Sequence, residues 1–151
     1  VIQVENYLRL TYLAAGRTRP SVDCWGLYRL IVGEALGIWL GEFSGLEAPR
    51  DIARTTRRES IGGDWLPIAP GKERFGDAVL MTGLFGEGRG SIRAPIHVGC
   101  VIEPARLIDI EETMGVQLRA FRSTTRLRAR PEIANRFVGL FRPKALSEAS
   151  P

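Results

Sequence analysis

Three residue types stand where they could carry out acyl-transfer chemistry. Cys24 lies in Asp23-Cys24-Trp25-Gly26, followed by an amphipathic run from Leu27 to Leu36. That pattern puts the thiol in the first turn of a helix, where N–H groups without intrahelical acceptors and the macrodipole favour negative charge. A thiol so placed gives up its proton more readily, and the thiolate is the form that attacks carbonyls. The chain's only histidine, His97, sits in Ile96-His97-Val98-Gly99, which reads as the start of a strand. A helix-start cysteine and a strand histidine are the minimum set for a nucleophile and its base.

The strands that must hold His97 offer a register test. A three-residue turn, Glu103-Pro104-Ala105, sets Ile102 opposite Arg106 and Gly99 opposite Asp109. Val98, Cys100, Ile102, Ile108 and Ile110 then share an apolar face, while His97, Gly99, Val101, Leu107, Asp109 and Glu111 share the other. A four-residue turn would mix Asp109 into the apolar set. The three-residue register places Asp109 on the face of His97, one diagonal step away. There its carboxylate can accept the Nδ1–H of His97, fix the tautomer and stabilise the imidazolium. Gly99 leaves room for the ring, and Glu111 on the same face is the rival orienter. Cys100, on the apolar face, reads as core and not as a disulfide partner of Cys24.

The remaining elements follow from spacing and punctuation. Val4, Leu8 and Tyr12 predict a helix over residues 1–13, ended by Gly16 and Pro20. The helix after Cys24 should stop near Gly37, a C-cap. Residues 38–49 read as loop, and Pro49-Arg50-Asp51 as the entry to a short Arg-rich helix reaching about Glu59. Gly62-Gly63 and nearby prolines mark a connection to Phe75-Gly76-Asp77, where Asp77 would cap the turn before an Ala78–Met81 strand. Residues 82–94, rich in glycine, read as a mobile loop. Strands are expected around 96–102, 106–111, 115–121 and 136–142. Helices first and strands later imply an α+β fold, one domain over 1–143, with a frayed tail over 144–151.

Bulk composition narrows the function classes. The chain has 151 residues, 44% hydrophobic and 25% charged, enough for one domain with its own core. One histidine and two cysteines, with no paired-cysteine or HExxH spacing, argue against a metal site, and no cofactor is expected. A net charge of +4 is modest and dispersed, without the basic stripe or stacking platform of a specific nucleic-acid binder. No apolar stretch approaches the roughly 20 residues of a spanning helix. No signal-peptide pattern opens the sequence, and Val1 leaves room for a trimmed Met or leader, so any export needs another route.

Together these residues resemble the NlpC-type cell-wall peptidases, papain-like cysteine enzymes that cut peptide cross-bridges, and in particular the small branch found in phage and phage-like tails. The resemblance is carried by Tyr12 with Gly16, Asp23-Cys24-Trp25-Gly26-Leu27, Gly76-Asp77-Ala78-Val79-Leu80, His97-Val98-Gly99 and Arg136-Phe137-Val138-Gly139, and it spans about residues 3–143. It implies a papain-like domain with N-terminal helices packed on a small antiparallel sheet. It also implies Cys24 as nucleophile, His97 as base and then acid, and Asp109 as orienter. Tyr12 and the Cys24 N–H would hold the oxyanion, with Asp23 and Trp25 beside substrate. Trp25 stands where many wall-cutting members have a serine, and Asp109 replaces their usual histidine. The implied partners are peptidoglycan stem peptides and other tail or hub proteins. The implied setting is a phage-like tail made in the cytoplasm and acting on the wall or periplasm of a target cell. The 82–94 loop and the Arg-rich 50–59 segment lie outside the shared core and are candidates for docking. The competing expectation is a catalytically silent adaptor of the tail hub.

Overall fold

Asp23 starts a helix in the manner its sequence predicts. In the computed structural model, which describes residues 2–41, 64–85, 92–121 and 136–149 (backbone only at 83–85 and 92–96), α1 runs Cys24–Leu36. Asp23 is its N-cap, with the side chain accepting from Gly26 N at 2.8 Å. Gly37, at φ 69°, ends it in the left-handed conformation that glycine adopts without strain. The buried side of α1 carries Leu27, Tyr28, Leu30 and Ile31.

N-terminal to α1, the expected helix is absent. One 3-10 turn, Val4–Asn6, leads into three two-residue strands: β1 (Thr11–Tyr12), β2 (Arg17–Thr18) and β3 (Ser21–Val22). They form a small sheet in the order β1-β3-β2. The Val4, Leu8, Tyr12 spacing misleads because Leu8 is exposed, while the residues that bury are Tyr7 and Leu10.

The main sheet contains β4 (Trp65–Ile68), β5 (Ala78–Phe85), β6 (Ile92–Glu103), β7 (Arg106–Glu111), β8 (Gly115–Ala120) and β9 (Phe137–Pro143). Its strand order is β4-β9-β5-β6-β7-β8, antiparallel throughout. The α+β class is as expected. β4 escapes sequence reading because it is short and contains Pro67; as an edge strand pairing only with β9 it can lack an N–H. Thr82–Phe85 and Ile92–Ala94, expected as loop, extend β5 and β6 as paired strand. The Arg-rich segment at 50–59 and residues 86–91 lie outside the described residues.

Register at the key hairpin is right, though its turn is not. Glu103, not Ile102, faces Arg106, so the loop is Pro104-Ala105, with Ala105 at φ 67°. A bulge at Ile102 absorbs the extra residue, and by Val101↔Leu107 and Cys100↔Ile108 the pairing is the one the pattern sets. Val98, Cys100, Ile108 and Ile110 then join Leu27, Tyr28, Leu30 and Ile31 of α1 in one core. Val79, Met81, Val101, Leu107, Phe121 and Leu140 form a second cluster.

The expected frayed tail is instead ordered through residue 149. Lys144–Glu148 form α2, Leu146 is buried, and its carbonyl accepts from Arg74 Nη2 at 2.9 Å. Lys144 N also donates to Asp64 O at 2.8 Å. The apolar Leu146 gave a weak signal that the surrounding polar residues masked.

Candidate active site

The helix start brings Cys24 to the sheet through two close approaches that only glycine permits. A Cβ on Gly26 would lie 2.1 Å from the carbonyl oxygen of Gly16, and one on Gly16 would lie 2.5 Å from that of Ser21. The Asp23 carboxylate locks this corner: besides Gly26 N it accepts from Ala15 N at 3.1 Å and from Arg17 Nη1 at 2.6 Å. Asp23 therefore fixes the first turn of α1. Trp25 is fully buried in the core. Its indole stacks on Tyr28 with centroids 5.5 Å apart, meets Trp65 edge-on, and donates to Gly41 O at 3.0 Å. Cys24, between them, is only partly buried.

His97 arrives on β6 opposite Met81, next to the irregularity at Met81/Thr82. It is 7% exposed, and its Nε2 lies 2.6 Å from Asp109 Oδ2. The bond uses Nε2 and not the expected Nδ1, which leaves Nδ1 for the thiol side. Both Cys24 and Asp109 act on the ring through side-chain hydrogen bonds. Burial disfavours the imidazolium, but these bonds and the charges of Cys24 and Asp109 outweigh it, raising the pKa of His97 from 6.5 to about 9. Cys24, His97 and Asp109 thus come together as the pattern required.

Behind the ring lies a network that sequence reading missed. Arg119 on β8 grips Asp109 with both arms: Nε reaches Oδ1 at 3.0 Å and Nη2 reaches Oδ2. Nη2 also lies 3.3 Å from Glu111 Oε1. Arg136, just before β9, places Nη1 2.5 Å from the same Glu111 oxygen and donates from Nε to Thr82 O at 2.8 Å. Burial pushes both carboxyls up; hydrogen bonds from His97 and Arg119 to Asp109, and from Arg136 to Glu111, more than reverse this, so both lie below the ordinary carboxylate range. Glu111 stands 3.8 Å from His97 Nε2. His97, Asp109 and Glu111 are close enough to hold a cation, with donor atoms within 4.8 Å, but the two guanidiniums already supply the counter-charge.

Tyr12 completes the cluster. Burial first, then the charges of Cys24, Asp23 and Glu112, raise its phenol pKa, so it stays a neutral donor. Asp77 lies elsewhere and has a structural task, accepting from Arg74 N at 2.9 Å and from Arg142 Nε and Nη2 at 2.7 and 2.8 Å. Cys100 is fully buried, burial pushes its thiol up, and neither cysteine is in a disulfide.

The fold has known counterparts. An NLP/P60-family protein from Staphylococcus aureus subsp. aureus Mu50, described as similar to a lipoprotein, superimposes with a TM-score of 0.59 at 18% identity over 93% of this chain. An NlpC/P60-family protein from Bacillus cereus ATCC 10987 gives 0.55 at 19% identity over 90%. This chain spans 38% and 36% of the lengths of those two proteins. No protein-family model matches the sequence, and no curated protein matches it. At these identities the likeness establishes an NlpC/P60-type fold.

Proposed function

We propose that the protein is a cysteine peptidase that hydrolyses amide bonds in peptidoglycan stem peptides. The observation carrying this reading is the imidazole held between Cys24 and Asp109, with Nε2 2.6 Å from the carboxylate. The NlpC/P60-type fold supports it.

The geometry supports the following chemistry. His97 takes the Cys24 proton, leaving a thiolate–imidazolium pair that Asp109 stabilises. The sulfur adds to the amide carbon, and the oxyanion receives hydrogen bonds from the Cys24 N–H and the Tyr12 hydroxyl. Oxyanion donors of this kind contribute about 3–4 kcal/mol each at the transition state. His97 then protonates the departing amine as the C–N bond breaks, leaving a thioester. Water, deprotonated by His97, hydrolyses the thioester and returns the free thiol and an acid.

The sequence resemblance, with Trp25 after the nucleophile, supports a setting in a phage-like tail that opens the wall during envelope penetration, the chain being made in the cytoplasm and docked on tail or hub proteins. Incubation with purified muropeptides tests the activity. A new amine end formed by the wild type and absent with Cys24→Ala is expected; no turnover, free or assembled, would leave the silent adaptor.

A further inference from the structure

We propose that Arg119 is a positioning residue that commits His97 to Asp109 rather than Glu111 and keeps that carboxylate ionised behind the ring, while Arg136 draws Glu111 aside. The inference rests on the catalytic reading of Cys24 and His97, but its readouts need no peptide substrate.

One imidazole nitrogen has two acidic neighbours, Asp109 Oδ2 at 2.6 Å and Glu111 Oε1 at 3.8 Å. Two unscreened carboxylates this close to one buried ring would compete, and their mutual repulsion would protonate one of them. The arginines resolve the contest unequally. Asp109 is fully buried, and the Arg119 fork spans both of its oxygens, fixing its plane so that Oδ2 meets Nε2. Glu111 offers a single oxygen, Oε1, to both Arg119 and Arg136. Arg136 is itself tethered to the backbone by Thr82 O at 2.8 Å, so it holds Glu111 in place. Among the described residues, the charged or titratable groups around the ring are Cys24 from α1, Asp109 and Glu111 from β7, Arg119 from β8 and Arg136 before β9. Tyr12 and Glu112 are not among the groups that act on the ring; Tyr12 feels the charges of Cys24 and Glu112. A lysine could replace the charge of Arg119 but not its planar two-point grip.

Two measurements on the purified full chain test this. The first is the rate of Cys24 alkylation by iodoacetamide against pH, located by peptide mass since Cys100 is buried. The second is the 15N–1H spectrum of the ring of His97, whose signals need no assignment because the chain has one histidine. In Arg119→Met the acid limb of the alkylation profile should move up by about one pH unit or more, and the hydrogen-bonded Nε2–H signal should be lost. Arg119→Lys should retain the acid limb but weaken the Nε2–H signal. In Arg136→Met the ring should show two partners, and adding Glu111→Gln should restore one. Wild-type behaviour of Arg119→Met in both readouts, with Asp109→Asn altered, overturns the role of Arg119. If Arg119→Met does not fold, an unchanged ring spectrum in Arg119→Lys overturns it equally. If Asp109→Asn is itself unchanged in both, the orienter assignment under the catalytic reading fails, and this inference falls with it.

Discussion

Under the proposed mechanism Cys24, His97 and Asp109 divide one proton-transfer task, and single substitutions should separate their shares. His97→Ala removes the group that bonds both the thiol and the carboxylate. It should cut muropeptide hydrolysis by about 10²–10⁴-fold while circular dichroism shows the fold intact. Asp109→Asn should fall between that variant and the wild type, since an amide can still orient the ring but cannot stabilise its charge. Glu111→Gln should remain near wild type. An inert Glu111→Gln beside a fully active Asp109→Asn would exchange the two roles. The pairing of Asp109 with His97 was legible because hairpin register follows from alternation of apolar and polar residues. Arg119 was open to the same counting: a turn over 112–114 pairs Asp109 with Gln117 and Leu107 with Arg119, which puts Arg119 diagonally beside Asp109. Arg136 gave no such signal, because it enters from a segment outside that hairpin.

Among elements, α1 is the one that the sequence describes most completely, since its cap, length and C-terminal glycine are all local features. Its dependence on Gly26 is tertiary. Gly26→Ala would drive a methyl into the Gly16 carbonyl, tilting the helix and moving the sulfur with it. The expected cost is about 1–3 kcal/mol in urea unfolding, with a disproportionate loss of Cys24 alkylation rate. A stability loss with no change in thiol reactivity would show that the helix start tolerates the shift. The C-terminal α2 makes the opposite point. Its short, mostly polar sequence reads as tail, yet Leu146 is buried against the domain. Leu146→Ala should cost about 2–5 kcal/mol, and a melting temperature equal to wild type would restore the frayed-tail reading. Two-residue strands such as β1–β3 carry too few residues for any periodicity, which is why the N-terminal region misled.

For the molecule as a whole, one histidine makes the pH dependence of stability simple to read. The folded state binds the His97 proton more tightly than the unfolded chain, at about 9 against 6.5. Its contribution is therefore complete below pH 6.5 and disappears as pH climbs through 9. Asp109 acts in the reverse sense: its lowered pKa gives stability above the ordinary value of 3.8, lost as acid protonates it. Melting temperature should peak between pH 3.8 and 6.5 and decline on the alkaline side. Asp109→Asn should flatten that decline, and an equally steep one in the variant would detach it from the His97–Asp109 pair.

The order of these parts along the polypeptide has a consequence for biosynthesis. The sulfur-bearing helix leaves the ribosome first, whereas the imidazole, its acid partner and the two guanidiniums belong to strands encoded far later. A nascent fragment that ends before Arg136 has the nucleophile without its full support. Under the proposed mechanism, competence should therefore arrive only once Arg136 has emerged and β9 has paired.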